Sequence, residues 1–222
     1  MLAAGGDGSS AHRAMTTLCE SYWDPLYAFA RRGGQSPQDS EDSVQGFFED
    51  ILERQALTQV DRSKGRFRSF LLASFKNFLS HERVRAKAQK RGGGRAVIDF
   101  DAREAEERYA IEPVDDLSPD KLYDRHWARV LLDRAQRRLA EHYESSGQGE
   151  LFQRLRPVLG SNRAQVSYAE MATELGMNAG ALKVAAHRLR ERYRSLLREE
   201  VAATVASPDQ IDAELRHLIE AL

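Results

Sequence analysis

Lys183, His187, Arg190 and Arg194 follow one another at steps of four, three and four residues, a spacing that aligns side chains along one face of an α-helix. The chemistry open to such a face is contact with a polyanion. The other side of the same stretch carries Leu182, Ala185, Ala186, Leu189, Tyr193 and Leu196, and no acidic residue occurs from Asn178 to Arg190. Charged helix faces usually do no more than solvate the helix, and they mix both signs. A run of one sign favours phosphate as the partner.

The elements that must position this face are legible just upstream. Ser167-Tyr168-Ala169-Glu170 has the form of a capping box, with serine at the cap and glutamate three residues on. A short helix with Met171, Ala172 and Leu175 follows. Gly176-Met177 makes a tight turn, and Asn178 can cap the longer basic helix. A short helix, a glycine turn and a longer basic helix form the helix-turn-helix pattern, whose second helix enters the major groove by its N-terminal residues. That geometry puts Asn178, Ala179, Gly180, Lys183 and His187 nearest base edges. Arg188, Arg190 and Arg194 fall on or near phosphates.

A second basic block spans residues 61–95, with eleven Lys and Arg against Asp61 and Glu82. Phe67, Phe70, Phe75 and Phe78 are interleaved with it, a mixture that can stack unpaired bases while the cations follow the backbone. The helical spacing of these phenylalanines favours a core role, so the cations are the stronger functional candidates. They are Arg62, Lys64, Arg66 and Arg68 at the start of a helix, and Arg83, Arg85 and Lys87 toward its end.

Around these two blocks the chain reads as all-helical. Leu18, Tyr22, Leu26 and Phe29 predict a helix from about Ala14 to Arg32, ended by Gly33-Gly34. Ser36 and Pro37 open a second, with Val44, Phe47, Phe48, Ile51 and Leu52 as its buried stripe. A third begins near Phe67, with Phe70, Leu71, Phe75, Phe78 and Leu79 as core. Residues 99–124 are acidic, and their hydrophobes are too sparse for a core. Ser118-Pro119 opens a further helix, and Ser207-Pro208 a last one with Ile211, Leu215, Leu218, Ile219 and Leu222 on one side. The expected layout is a flexible arm at 1–13, a small bundle at 14–91, an acidic linker at 92–117, a helix-turn-helix domain at 118–200 and a C-terminal helical extension at 201–222.

Composition narrows the function classes. The 222 residues are 41% hydrophobic and 30% charged with a net charge of −1, so the basic blocks are local features on a near-neutral chain. One cysteine, Cys19, allows no internal disulfide and suits a reducing compartment. No apolar run approaches the roughly 20 residues of a membrane span, and the N-terminus lacks the apolar core of a signal peptide, so a cytoplasmic location without membrane insertion is expected. Gly92 to Gly94 follows a helix and lacks phosphate-loop spacing. One cysteine and six scattered histidines make no zinc site. Neither a cofactor, a metal nor catalysis is expected. Asp39, Glu41, Asp42, Glu49 and Asp50 read better as an outward docking surface than as a carboxylate site.

Two stretches resemble the extracytoplasmic-function sigma factors. Tyr22-Trp23-Asp24-Pro25-Leu26-Tyr27, the run from Asp39 to Phe48, Gly65-Arg66-Phe67-Arg68-Ser69-Phe70-Leu71 and Asn77 resemble that family's sigma-2 domain. Its acidic pair, hydrophobe and glutamine before phenylalanine correspond to Glu41-Asp42, Val44, Gln45 and Phe48. Ser167 to Ala172, Lys183 and His187 to Tyr193 resemble its sigma-4 helix-turn-helix. Gly46 and Phe70 stand where the family often has an acidic residue and tryptophan. The resemblance implies a non-enzymatic subunit that binds core RNA polymerase and promoter DNA. In that role Asp39, Asp42, Gln45 and Phe48 contact the polymerase. Arg62, Lys64, Arg66, Arg68, Asn77, Arg83, Arg85 and Lys87 serve the minus-ten element, and the helix after Asn178 reads the minus-thirty-five element. Two roles fit the helix after Ser207: a cap on the C-terminal bundle, or a contact for a regulatory partner such as an anti-sigma protein. The rival readings are a stand-alone helix-turn-helix regulator and a protein-interaction module that never touches DNA.

Overall fold

The computed structural model describes residues 8–53, 66–88, 102–111, 117–160, 167–205 and 207–222, the side chains of 8–15, 83–88 and 102 excepted. Arg62 and Lys64 lie outside the described residues, as do the side chains of Arg83, Arg85 and Lys87. Among the described residues the chain is helical, without a strand: α1 Gly8–Arg32, α2 Pro37–Glu53, α3 Phe67–Ala88, α4 Ala102–Ile111, α5 Pro119–Ser145, α6 Gly149–Leu155, α7 Tyr168–Glu174, α8 Ala179–Ala202 and α9 Ile211–Ala221, with short 3₁₀ turns at Arg156–Leu159 and Pro208–Gln210. None of these helices is long and apolar enough to cross a membrane. The chain divides into two compact units, residues 1–130 with 203–222, and residues 131–202.

In the first unit, the middle of α1 is enclosed on all sides, every residue from Ser21 to Ala28 being buried. The helix starts at Gly8, earlier than the expected Ala14. Pro25 lies inside it, which removes one backbone donor and costs about 3 kcal/mol in a helix interior. Burial of Tyr22, Trp23, Leu26 and Tyr27 at roughly 1.5–3 kcal/mol per large apolar side chain outweighs that. The helix ends where Gly33-Gly34 predicts. Gly34 adopts φ +89°, and the amides of Gly34 and Gln35 donate to the carbonyls of Arg31 and Ala30, the closure that a left-handed residue makes possible.

Ser36 caps α2, its hydroxyl accepting from the Asp39 amide at 3.1 Å and donating to the Asp39 carboxylate at 2.7 Å. Val44, Phe47, Phe48 and Ile51 are buried, as the stripe requires, while Leu52 is 45% exposed. At 3.6 residues per turn it falls at the stripe's edge. In α3, Leu71, Phe75 and Leu79 face the core, where Phe75 lies edge-on to Phe47 at 5.1 Å between centroids. Phe70, expected in that core, is 39% exposed, because it points roughly 140° around the helix from the centre of the Leu71, Phe75 and Leu79 stripe.

The acidic stretch contains a docked helix that apolar patterning did not announce. Ala105 of α4 is buried, and Glu106 accepts from Tyr27 Oη at 2.6 Å and from Arg31 Nε and Nη2 at 2.8 and 2.9 Å. This is a bidentate clamp. It holds the Glu106 carboxyl below its ordinary range, chiefly through the Arg31 hydrogen bonds. Burial, with the Glu106 contact adding to it, pushes the Tyr27 hydroxyl well up.

In the second unit, the C-terminal half of α5 packs with α6, α7 and α8 around Ala135, Leu139, Tyr143, Phe152, Leu155, Val158, Ala172, Leu182, Ala186, Leu189 and Leu196. Glu200 accepts from Arg134 at 3.1 Å and Arg138 at 2.8 Å, and the other Arg138 nitrogen reaches Glu199 at 2.6 Å. These ion pairs lock the far end of α8 to α5.

Candidate nucleic-acid interface

The α7–α8 corner is built from local bonds that the sequence encodes. Ser167 Oγ accepts from the Glu170 amide at 3.3 Å, the cap half of the expected box. At the other end of α7, Gly176 takes φ +60°. Its amide donates to Thr173 O at 3.2 Å and that of Met177 to Ala172 O at 2.9 Å, the paired closure of a Schellman motif. Asn178 then caps α8, its side-chain oxygen accepting from the Gly180 amide at 2.7 Å. Turn and cap together place the first turn of α8 in solvent. Asn178, Ala179, Gly180, Lys183 and Val184 are all exposed there.

Along the outer face of α8, Lys183, His187, Arg188 and Arg194 are exposed. Arg194 also pairs with Glu191 within its own helix. Arg190 differs. It is half-buried and donates to the hydroxyl of Tyr168 at the start of α7, so its guanidinium braces the corner as well as facing outward. Val184, half exposed beside Lys183, adds an apolar contact of the kind that can meet a thymine methyl. No periodicity rule would have selected it.

In the first unit, the candidate surfaces are α2 and the start of α3. Asp39 and Asp42 are exposed, Asp42 accepting from Gln38 at 3.4 Å. Gln45 is half-buried and donates to Glu49 at 3.2 Å. Phe48 is fully buried and stacks on Trp23 at 6.1 Å. Any part it has in docking acts through the position of α2.

The start of α3 holds the least expected arrangement. Asn77 is exposed and Arg66 half-buried, but Arg68 is buried. Its guanidinium pairs with Asp124 of α5 and Glu214 of α9 and lies over the Trp127 ring, 5.0 Å from the centroid. Arg66 Nε reaches the other Glu214 oxygen at 2.9 Å. Tyr123 Oη donates to the Arg68 carbonyl at 3.0 Å, and His217 Nε2 lies 3.1 Å from Asp124. Glu214, wholly buried, is the residue that sequence reading missed. On a helix with Ile211, Leu215 and Leu218 it looks like a solvated charge. The signal available was the excess of arginine at the start of α3, which asks for a carboxylate partner without saying where it lies.

A second buried pair, Asp24 of α1 and His126 of α5 at 2.8 Å, joins two core helices. Among the described residues no group of three or more His, Cys, Asp or Glu is placed to hold a metal ion. Comparisons with family models, with curated proteins and with solved structures return no match.

Proposed function

We propose that this chain is a sigma factor of the extracytoplasmic-function kind, which binds core RNA polymerase and directs promoter recognition and opening. The observation that carries the reading is the α7–α8 corner. A capped short helix, a glycine turn at positive φ and an asparagine cap present the first turns of a basic helix to solvent, with Lys183, His187 and Arg188 exposed along it. This is what a helix must offer to enter a major groove. The exposed Asp39 and Asp42 on α2 are compatible with the polymerase contact that the sequence resemblance implies, and binding to core polymerase separates this reading from a stand-alone regulator.

In this role the protein catalyses nothing itself. The α8 face supplies upstream recognition, phosphate contacts giving affinity and the residues near Asn178 giving sequence choice. The arginines at the start of α3 serve the element to be opened. Sedimentation of the chain with core RNA polymerase tests the reading: a stoichiometric complex is expected, and failure to bind core enzyme would exclude it.

A further inference from the structure

Glu214 is a fully buried carboxylate on an eleven-residue helix, and a buried carboxylate is tolerated only when cations hold it. The cations here are Arg66 and Arg68, 146 residues away in sequence for Arg68. They are also the two described arginines of the basic turn that a nucleic-acid backbone would need. A carboxylate bridging two guanidiniums offers the same chemistry as a phosphate oxygen pair. We infer that α9 is an internal stopper, in which Glu214 occupies a two-arginine phosphate site and release of α9 opens that site to the backbone of a single-stranded nucleic acid.

The fit of α9 suits a part that comes away. Leu218 is its one fully buried apolar side chain, while Ile211 and Leu215 are half-buried and Ile219 and Leu222 face solvent at 69% and 51% exposure. Its attachment is mainly polar, through Glu214 and the His217 contact to Asp124, with little apolar surface beside them. A helix this short is marginal in water by itself, so a detached α9 unfolds and does not compete for the site. Arg68 stays in place when α9 leaves, because Asp124 and the Trp127 ring still hold it. Arg66, already 38% exposed at its side chain, is free to turn toward an incoming phosphate.

The inference rests on the nucleic-acid part of the proposed function and not on its polymerase part. The test uses the full chain and a short fluorescein-labelled thymidine oligonucleotide, with anisotropy read over a range of salt concentrations and hydrogen exchange read at the α9 amides. Glu214→Gln removes the charge. Leu218→Ser loosens the helix without touching the arginines, and it serves where the first variant folds poorly. Both are expected to expose the α9 amides and to tighten oligonucleotide binding about tenfold, the size of one recovered charge-assisted hydrogen bond. The slope of log K against log salt steepens by about 0.7 for each additional phosphate neutralised. Adding Arg66→Gln to Glu214→Gln abolishes the tighter binding. Exposed α9 amides with unchanged affinity overturn the stopper, and so do α9 amides that stay protected in both variants. Tighter oligonucleotide binding by a chain that does not bind core polymerase keeps the stopper and removes the sigma reading.

Discussion

Arg190 of α8 donates to the phenolic oxygen of Tyr168 at the first turn of α7, so one cation of the outward face also fixes the angle between the two helices of the corner. Lys183, His187 and Arg188 make no such bond to α7 and are fully displayed. The face that spacing treats as uniform therefore divides into a brace and a contact surface.

Tyr168→Phe removes the acceptor and leaves Arg190 in place. Chemical denaturation should register a loss of about 1.5–3 kcal/mol, the range for a hydrogen bond to a charged group. DNA affinity should fall in the same direction through the misplaced α8. Unchanged stability would mean that Arg190 faces outward like its neighbours.

Lys183→Ala should weaken binding to upstream promoter DNA by about 1–3 kcal/mol where the contact is a base edge. Where it is a phosphate, the loss is uniform across sequences and the salt slope drops by about 0.9. Titrations at several salt concentrations on cognate and scrambled duplexes separate the two, and no change in either quantity would remove Lys183 from the interface.

Asp42→Ala with Gln45→Ala should reduce core polymerase binding while helix content by circular dichroism stays constant, because Asp42 is exposed and Gln45 half-buried beside Glu49. Phe48→Ala should instead lower stability by about 3–5 kcal/mol, as loss of a buried aromatic does. Polymerase binding that survives the first pair would place docking elsewhere.

The Glu106 clamp predicts a pH dependence with a definite sign. Its carboxyl is held below the ordinary glutamate value of 4.5 in the folded chain, first by the Arg31 hydrogen bonds. The contribution of the clamp is therefore complete above that ordinary value and fades as pH falls through the depressed folded value. Hydrogen exchange at the α4 amides should accelerate with acidification over that range. Glu106→Gln should exchange quickly already at neutral pH, and equal protection in both proteins would show that α4 is held by its apolar contacts alone.

These contrasts show how far local signals reach. Ser36, Ser167 and Asn178 announce their caps, and Gly34 and Gly176 their turns, because each acts within a few residues of itself. The stripe in α2 predicts Val44, Phe47, Phe48 and Ile51 correctly and fails at its edge, Leu52. Contacts between distant charges left at most an excess of one sign, with no local trace of the partner. Glu106 docks α4 on α1 by a polar clamp, and Glu214 enters the core because Arg66 and Arg68 receive it. The spacing of Ile211, Leu215, Leu218, Ile219 and Leu222 marked α9 as amphipathic, but Glu214 is buried on it while Ile219 and Leu222 face solvent. On α8, spacing found the basic face and could not foresee that Tyr168 would engage one member of it.

The sigma reading is tested most directly by run-off transcription with purified chain and core polymerase over a fragment library of the host genome. It predicts discrete transcripts, absent with core enzyme alone, whose start sites share an upstream motif and weaken with Lys183→Ala. Core polymerase that yields no new transcript with either the wild-type chain or Glu214→Gln, a variant freed of the α9 contact, would contradict it.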